Sequence, residues 1–132
     1  KENEIKFLYF LLKNRRVSIS HNEMPSFEDH RIFVSNHPYK TWNIVIKDNI
    51  NIGAQYIGYD NTVGIHLLPE YVNYRPFIIR KVLEKFTPEP GRSSLIPDKF
   101  IFNVAYGDDD YFNDLVKLGA KQIQYTFQFL NN

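Results

Sequence analysis

A chain of 132 residues with 43% apolar and 23% charged side chains has the composition of one folded domain with its own core. A net charge of +1 gives no field for nucleic acid or an anionic membrane, and the absence of cysteine removes disulfides, thiolate metal sites and cysteine nucleophiles. No apolar run approaches the ~18 residues needed to cross a bilayer. The early run Phe7–Leu12 is too short for a signal peptide, so the expectation is a cytoplasmic protein with no membrane or nucleic-acid partner. Nine Tyr and eleven Phe point to an aromatic core rather than a platform for stacked bases.

Residues from about Glu2 to Lys13 read as a helix, with Ile5, Leu8, Tyr9 and Leu12 on one face and Asn14-Arg15-Arg16 ending it. Val17 to Pro25 reads as a polar loop. Ser26 is a good N-cap for a second helix, with Glu28 and Asp29 in its first turn, and Asn36-His37-Pro38 closes it. A β-meander follows: Thr41–Ile46, Ile52–Tyr59 and Val63–Leu68, joined by turns at Lys47-Asp48-Asn49 and Asp60-Asn61. Gly53, Gly58 and Gly64 mark bulges or close backbone approach within it.

Pro69 stops the third strand, since proline cannot donate to a ladder. Beyond a polar bend, Phe77, Ile78, Val82, Leu83 and Phe86 recur at helical spacing. Thr87-Pro88-Glu89-Pro90-Gly91 breaks the chain, and Arg92-Ser93-Ser94 continues as loop. Phe100 to Tyr106 reads as a further strand. Asp108-Asp109-Asp110 then suits the positive end of a short helix, Tyr111 to Leu118, with Gly119 as its left-handed cap. Ile123 to Leu130 alternates as a last strand, with Ile123, Tyr125, Phe127 and Phe129 on one face; it either pairs across a homodimer or completes the core.

Free backbone N–H groups at the ends of such strands and the starts of such helices are natural docking places for anions. No histidine pair has helical metal-ligand spacing, so no metal site is expected. His21, His30 and His37 each stand alone. Trp42 and Tyr39 read first as packing aromatics.

The run Val63-Gly64-Ile65-His66-Leu67-Leu68-Pro69-Glu70-Tyr71, its bend and its helix resemble the acyl-CoA-binding core of the GNAT superfamily of N-acetyltransferases. Phe102-Asn103-Val104-Ala105, Lys117-Leu118-Gly119-Ala120-Lys121 and Gln124-Tyr125-Thr126-Phe127 resemble that family's closing strand, helix and strand. Ile19-Ser20-His21 through Met24-Pro25 to His37-Pro38-Tyr39 resembles some small bacterial members. The resemblance implies one GNAT-like domain over 1–132. It would be an α/β (α+β) fold with a mixed, mainly antiparallel sheet flanked by about four helices, its first strand absent or truncated.

The resemblance also implies a function: transfer of an acetyl group from acetyl-CoA to a small-molecule amine, an amino sugar or amino acid, by direct attack. The backbone of Ile65, His66, Leu67 and Leu68 would take the pantetheine arm, with Asn103 on the neighbouring strand. The pyrophosphate would fall to Val72, Asn73, Tyr74, Arg75 and Phe77. In the family that loop is glycine-rich, so that N–H groups close on phosphate without a Cβ in the way; here Arg75 and Phe77 stand at the glycine positions. Arg75 would meet the anion as a side-chain cation.

The family's acid for the departing thiolate, a tyrosine four residues before the helix-ending glycine, falls on Leu115 here, which leaves Tyr111 one turn earlier as the substitute. Glu70 is the expected base, with His66 beside it. The same departures support the alternative of a catalytically eroded GNAT domain that serves as a binding or structural module.

Overall fold

The computed structural model describes residues 1–14, 24–92 and 97–131. The expected loop around His21, the helix stop at Arg15-Arg16 and the Ser93-Ser94 loop lie outside the described residues. Among those described are four α-helices and a four-stranded sheet in the order β1-β2-β3-β4.

The first helix, α1 (Glu2–Lys13), has acidic residues in its first turn and Lys13 in its last, matching the helix dipole. In α2 (Phe27–Ser35), the Ser26 hydroxyl accepts a hydrogen bond from the Asp29 N–H at 3.1 Å, as the capping pattern predicts. The sheet then runs β1 (Thr41–Lys47), β2 (Ile50–Ile57) and β3 (Thr62–Leu67), all antiparallel neighbours. Asp48 and Asn49 both take positive φ, 51° and 66°, which gives the two-residue hairpin its tight, correctly twisted turn. Register shifts between Val45 and Ile46, where Ile52 of β2 is extra.

Pro69 to Tyr74 forms a 3-10 turn that leads directly into α3 (Arg75–Lys85), with Pro76 in the first turn where its missing N–H costs nothing. The expected strand Phe100–Tyr106 contracts to β4 (Ile101–Phe102), which runs parallel to β3. Last is α4 (Asp109–Lys117), whose capping Asp108 accepts from the Tyr111 N–H. The expected final strand Ile123–Leu130 is not a strand. It is exposed, and among the described residues no strand pairs with it to complete a ladder.

The alternation of side chains along β2 and β3 builds a core on each face of the sheet. On one face Ile57, Val63 and Ile65 pack with Ile78, Ile79 and Val82 of α3 and Tyr111 and Leu115 of α4. On the other, Ala54 and Leu68 pack with Leu8 and Leu11 of α1, and Trp42, Ile44 and Val34 gather around them. The result is helices on both sides of a mixed, mainly antiparallel sheet: the α+β architecture that the sequence implies. Among the described residues no helix is long and apolar enough to cross a membrane.

Candidate functional site

The ladder between β3 and β4 has only two rungs, Thr62 with Ile101 and Val63 with Phe102. Beyond Val63, β3 continues for four residues while its parallel neighbour departs. The gap opens into a cavity of about 720 Å³. Gly64, Ile65, His66 and Leu67 line one wall, and Asn103, Ala105 and Gly107 line the other. Residues from both faces of the sheet share this space, from Leu8 and Leu11 of α1 to Tyr111 of α4. It therefore passes through the sheet where the ladder stops.

Two local features shape the space. Gly64 lies opposite Tyr56, and a Cβ at Gly64 would sit 2.0 Å from the Tyr56 ring, so only glycine allows that ring to lie over β3. Tyr56 in turn stacks on Tyr39 with ring centroids 4.0 Å apart, and Tyr39 meets Trp42 edge to face at 5.1 Å. Burial, with the neighbouring Tyr56 a smaller cause, pushes the Tyr39 phenol up to about 12. These rings close one end of the cavity.

Tyr111 also lines the cavity. Its ring belongs to the core, but its hydroxyl is buried and finds no hydrogen-bond partner among the described residues. Burial pushes the phenol up well above an ordinary tyrosine, while the Arg75 guanidinium, 4.3 Å over the ring, pulls the other way. The group is a neutral O–H donor at neutral pH. A buried donor with no acceptor is costly, by about 1–3 kcal/mol, unless something else in the space accepts from it.

The sequence-derived residues divide into two sets. Ile65, His66, Leu67, Val72, Arg75, Asn103 and Tyr111 line the cavity, whereas Glu70, Leu68, Asn73, Tyr74 and Phe77 do not. Glu70 is exposed in the first turn of the 3-10 segment, and Leu68 is buried with α1 on the second core. Lys47 sits over the Tyr74 ring at 4.9 Å, and Phe77 is half-exposed with Lys81 over it.

Arg75 is no free surface cation: it is buried, and its Nε donates to Asp114 Oδ2 at 3.1 Å, tying the start of α3 to α4. The N–H groups of the bend are engaged as well, Tyr71 N–H with the Leu68 carbonyl and Arg75 N–H with that of Val72. The glycine cradle of the resembled family is thus replaced by a closed 3-10 turn.

Sequence reasoning read Tyr39 and Trp42 first as packing aromatics and missed Tyr56, although all three line the cavity. Gly64 facing Tyr56 was the available signal, since a glycine in mid-strand marks close approach. Among the described residues no three His, Asp or Glu side chains converge as a metal-ligand set. No protein-family model matches the chain, and no curated protein matches it.

Proposed function

We propose that this domain is a GNAT-type N-acetyltransferase that moves an acetyl group from acetyl-CoA to the amine of a small molecule, an amino sugar or amino acid, in the cytoplasm. The observation that carries the proposal is the two-rung parallel ladder beside a cavity that Tyr111 lines, its buried hydroxyl without a hydrogen-bond partner among the described residues. An acyl donor with an amide-bearing arm needs a strand to lie along and a donor for its leaving sulfur. Gly64, Ile65 and Leu67, past the last β3–β4 rung on the cavity wall, support the first and Tyr111 the second.

In the reaction, Gly64–Leu67 hold the arm and the amine attacks the thioester carbonyl carbon. The C–N bond forms as the C–S bond breaks. Tyr111 gives its phenolic proton to the departing sulfur and recovers one from solvent. Its raised pKa keeps that proton in place until the thiolate develops. His66, on the cavity wall, takes the proton released by the amine; Glu70 lies outside the cavity.

A second reading, an eroded GNAT-type domain used as a binding or structural module, draws on the closed 3-10 turn and the engaged Arg75. Calorimetric titration with acetyl-CoA and with acetyl-pantetheine separates the two. The enzyme requires binding of both, with the shorter donor losing little, and thiol release with an amine panel. Tyr111→Phe should then lower kcat by about a hundredfold and leave donor affinity nearly unchanged. No binding of either donor at millimolar concentration would overturn the enzyme and leave the module.

A further inference from the structure

Two stretches of this chain are patterned as sheet strands but have a side with no strand neighbour among the described residues. The first is the outer rim of β4. Phe100-Ile101-Phe102-Asn103-Val104-Ala105 contains no charge and no proline, and Phe100, Phe102 and Val104 pack on the larger core. No described strand lies on its far side. Exposed sheet edges are ordinarily blunted by lysine, proline, a bulge or a covering element. This edge has none of these in its own sequence.

The second is the segment after α4. Ile123, Tyr125, Phe127 and Phe129 alternate with Gln122, Gln124, Thr126 and Gln128, and the four apolar side chains are 67, 77, 88 and 89% exposed. Between Lys121 and Leu130 the only charge is Lys121 itself, and there is no glycine or proline. Such a segment adds readily to an open sheet edge. Its direction is set by the end of α4. Gly119 takes φ 101°, its N–H donates to the Val116 carbonyl at 3.0 Å, and the Ala120 N–H donates to that of Leu115 at 2.9 Å. The chain leaves through this fixed turn, and every described residue after Leu118 is exposed.

We propose that residues 121–130 of one copy add as a strand along β4 and its flanking residues, Phe100–Ala105, of a second copy, and that the exchange is reciprocal. Donor and acceptor lie on the same chain, so a single two-fold operation satisfies both in each copy. Ten extended residues span about 33 Å, longer than the roughly 20 Å of the six-residue edge, so the strand covers it whole. Three aromatic side chains bury on the order of 150–250 Å² each. Two exchanged tails and the surface they cover therefore exceed the ~1,200 Å² at which stable interfaces begin. The partner's strand lies along the segment that carries Asn103 and Ala105, so it also stiffens one cavity wall. The exchange stands independently of acetyl transfer.

Light scattering behind size exclusion tests it on the full chain, with hydrogen exchange of the tail amides measured over the same concentration range. The expected result is a dimer at micromolar concentration whose tail amides are protected and lose protection on dilution. A Tyr125→Lys, Phe127→Lys double variant should weaken the dimer at least a hundredfold without changing the far-ultraviolet circular dichroism, because both side chains are exposed in the single chain. A chain that stays monomeric to ~100 µM overturns the proposal. So does a dimer that the double variant leaves intact. Tail protection that persists in the monomer means closure on the chain's own edge, and overturns it too.

Discussion

The two ends of the sheet are built to different rules. From β1 to β2 there are seven paired positions and from β2 to β3 five, but from β3 to β4 only two. The meander is held by short turns and by side chains buried on both faces. The β4 end is held by one core face and a few long-range bonds. The ladder stops early at the narrow end, and it is there that the cavity opens. Pairing is concentrated in the meander, while β4 keeps two rungs and the segment after α4 is exposed.

The comparison breaks most severely where α3 meets the sheet. Ile79 is 1% exposed and packs among Val63, Ile65 and Val82 at the centre of the larger core. Ile79→Ala should cost about 3 kcal/mol in chemical denaturation, from lost transfer energy and the void left behind. A loss under ~1 kcal/mol would mean that this face collapses easily and that the rigid half of the contrast is misplaced.

Next in size is the tie between the two ends. Asn61, at φ 70° and 1% exposed, donates through Nδ2 to the Glu89 and Pro97 carbonyls at 3.0 and 2.7 Å. Its Oδ1 accepts from the Glu89 N–H at 2.7 Å, and its backbone carbonyl accepts from Ile101 at the start of β4. Asn61→Ala strands those partners and places a Cβ-bearing residue without a side-chain amide in the left-handed region, for a loss of about 2 kcal/mol. Hydrogen exchange should rise first in 97–106 and leave β1 and β2 protected. Uniform acceleration across the sheet would erase the distinction between the ends.

Much of the meander was legible because its signals are local. Asp48-Asn49 accept positive φ, Ser26 caps the helix three residues ahead, and Gly119 stops α4, each within a few residues of the feature it controls. The narrow end was not. Phe100–Tyr106 and Ile123–Leu130 have the composition of strands, but a ladder depends on what lies alongside, which alternation does not encode. Arg75 read as an anion ligand because its partner Asp114 lies 39 residues on. Tyr111 was singled out by one turn of helix spacing. That its hydroxyl would be buried without an acceptor depends on packing against α3, which the sequence alone does not reveal.

The smallest expected effect comes from the opposite face, at His30 on α2. Its side chain is buried against the Tyr9 ring, with centroids 5.3 Å apart, and Nε2 has no partner among the described residues. Burial lowers its pKa below the ordinary 6.5, because the imidazolium would lose its water without gaining an acceptor. An unfolded chain takes up this proton near pH 6.5, whereas the folded chain resists until the pH is lower. In that window the unfolded state binds more protons, so stability rises with pH. His30's contribution is full above about pH 6.5 and is lost as pH falls through its folded value. Denaturation at pH 7.5, 6.5 and 5.5 should show stability declining on the acid side, with His30→Gln flattening part of the decline. An unchanged slope in that variant would mean that the face under α1 and α2 is open enough to solvate the imidazolium. The contrast would then lie between the two faces of the sheet as well as between its ends.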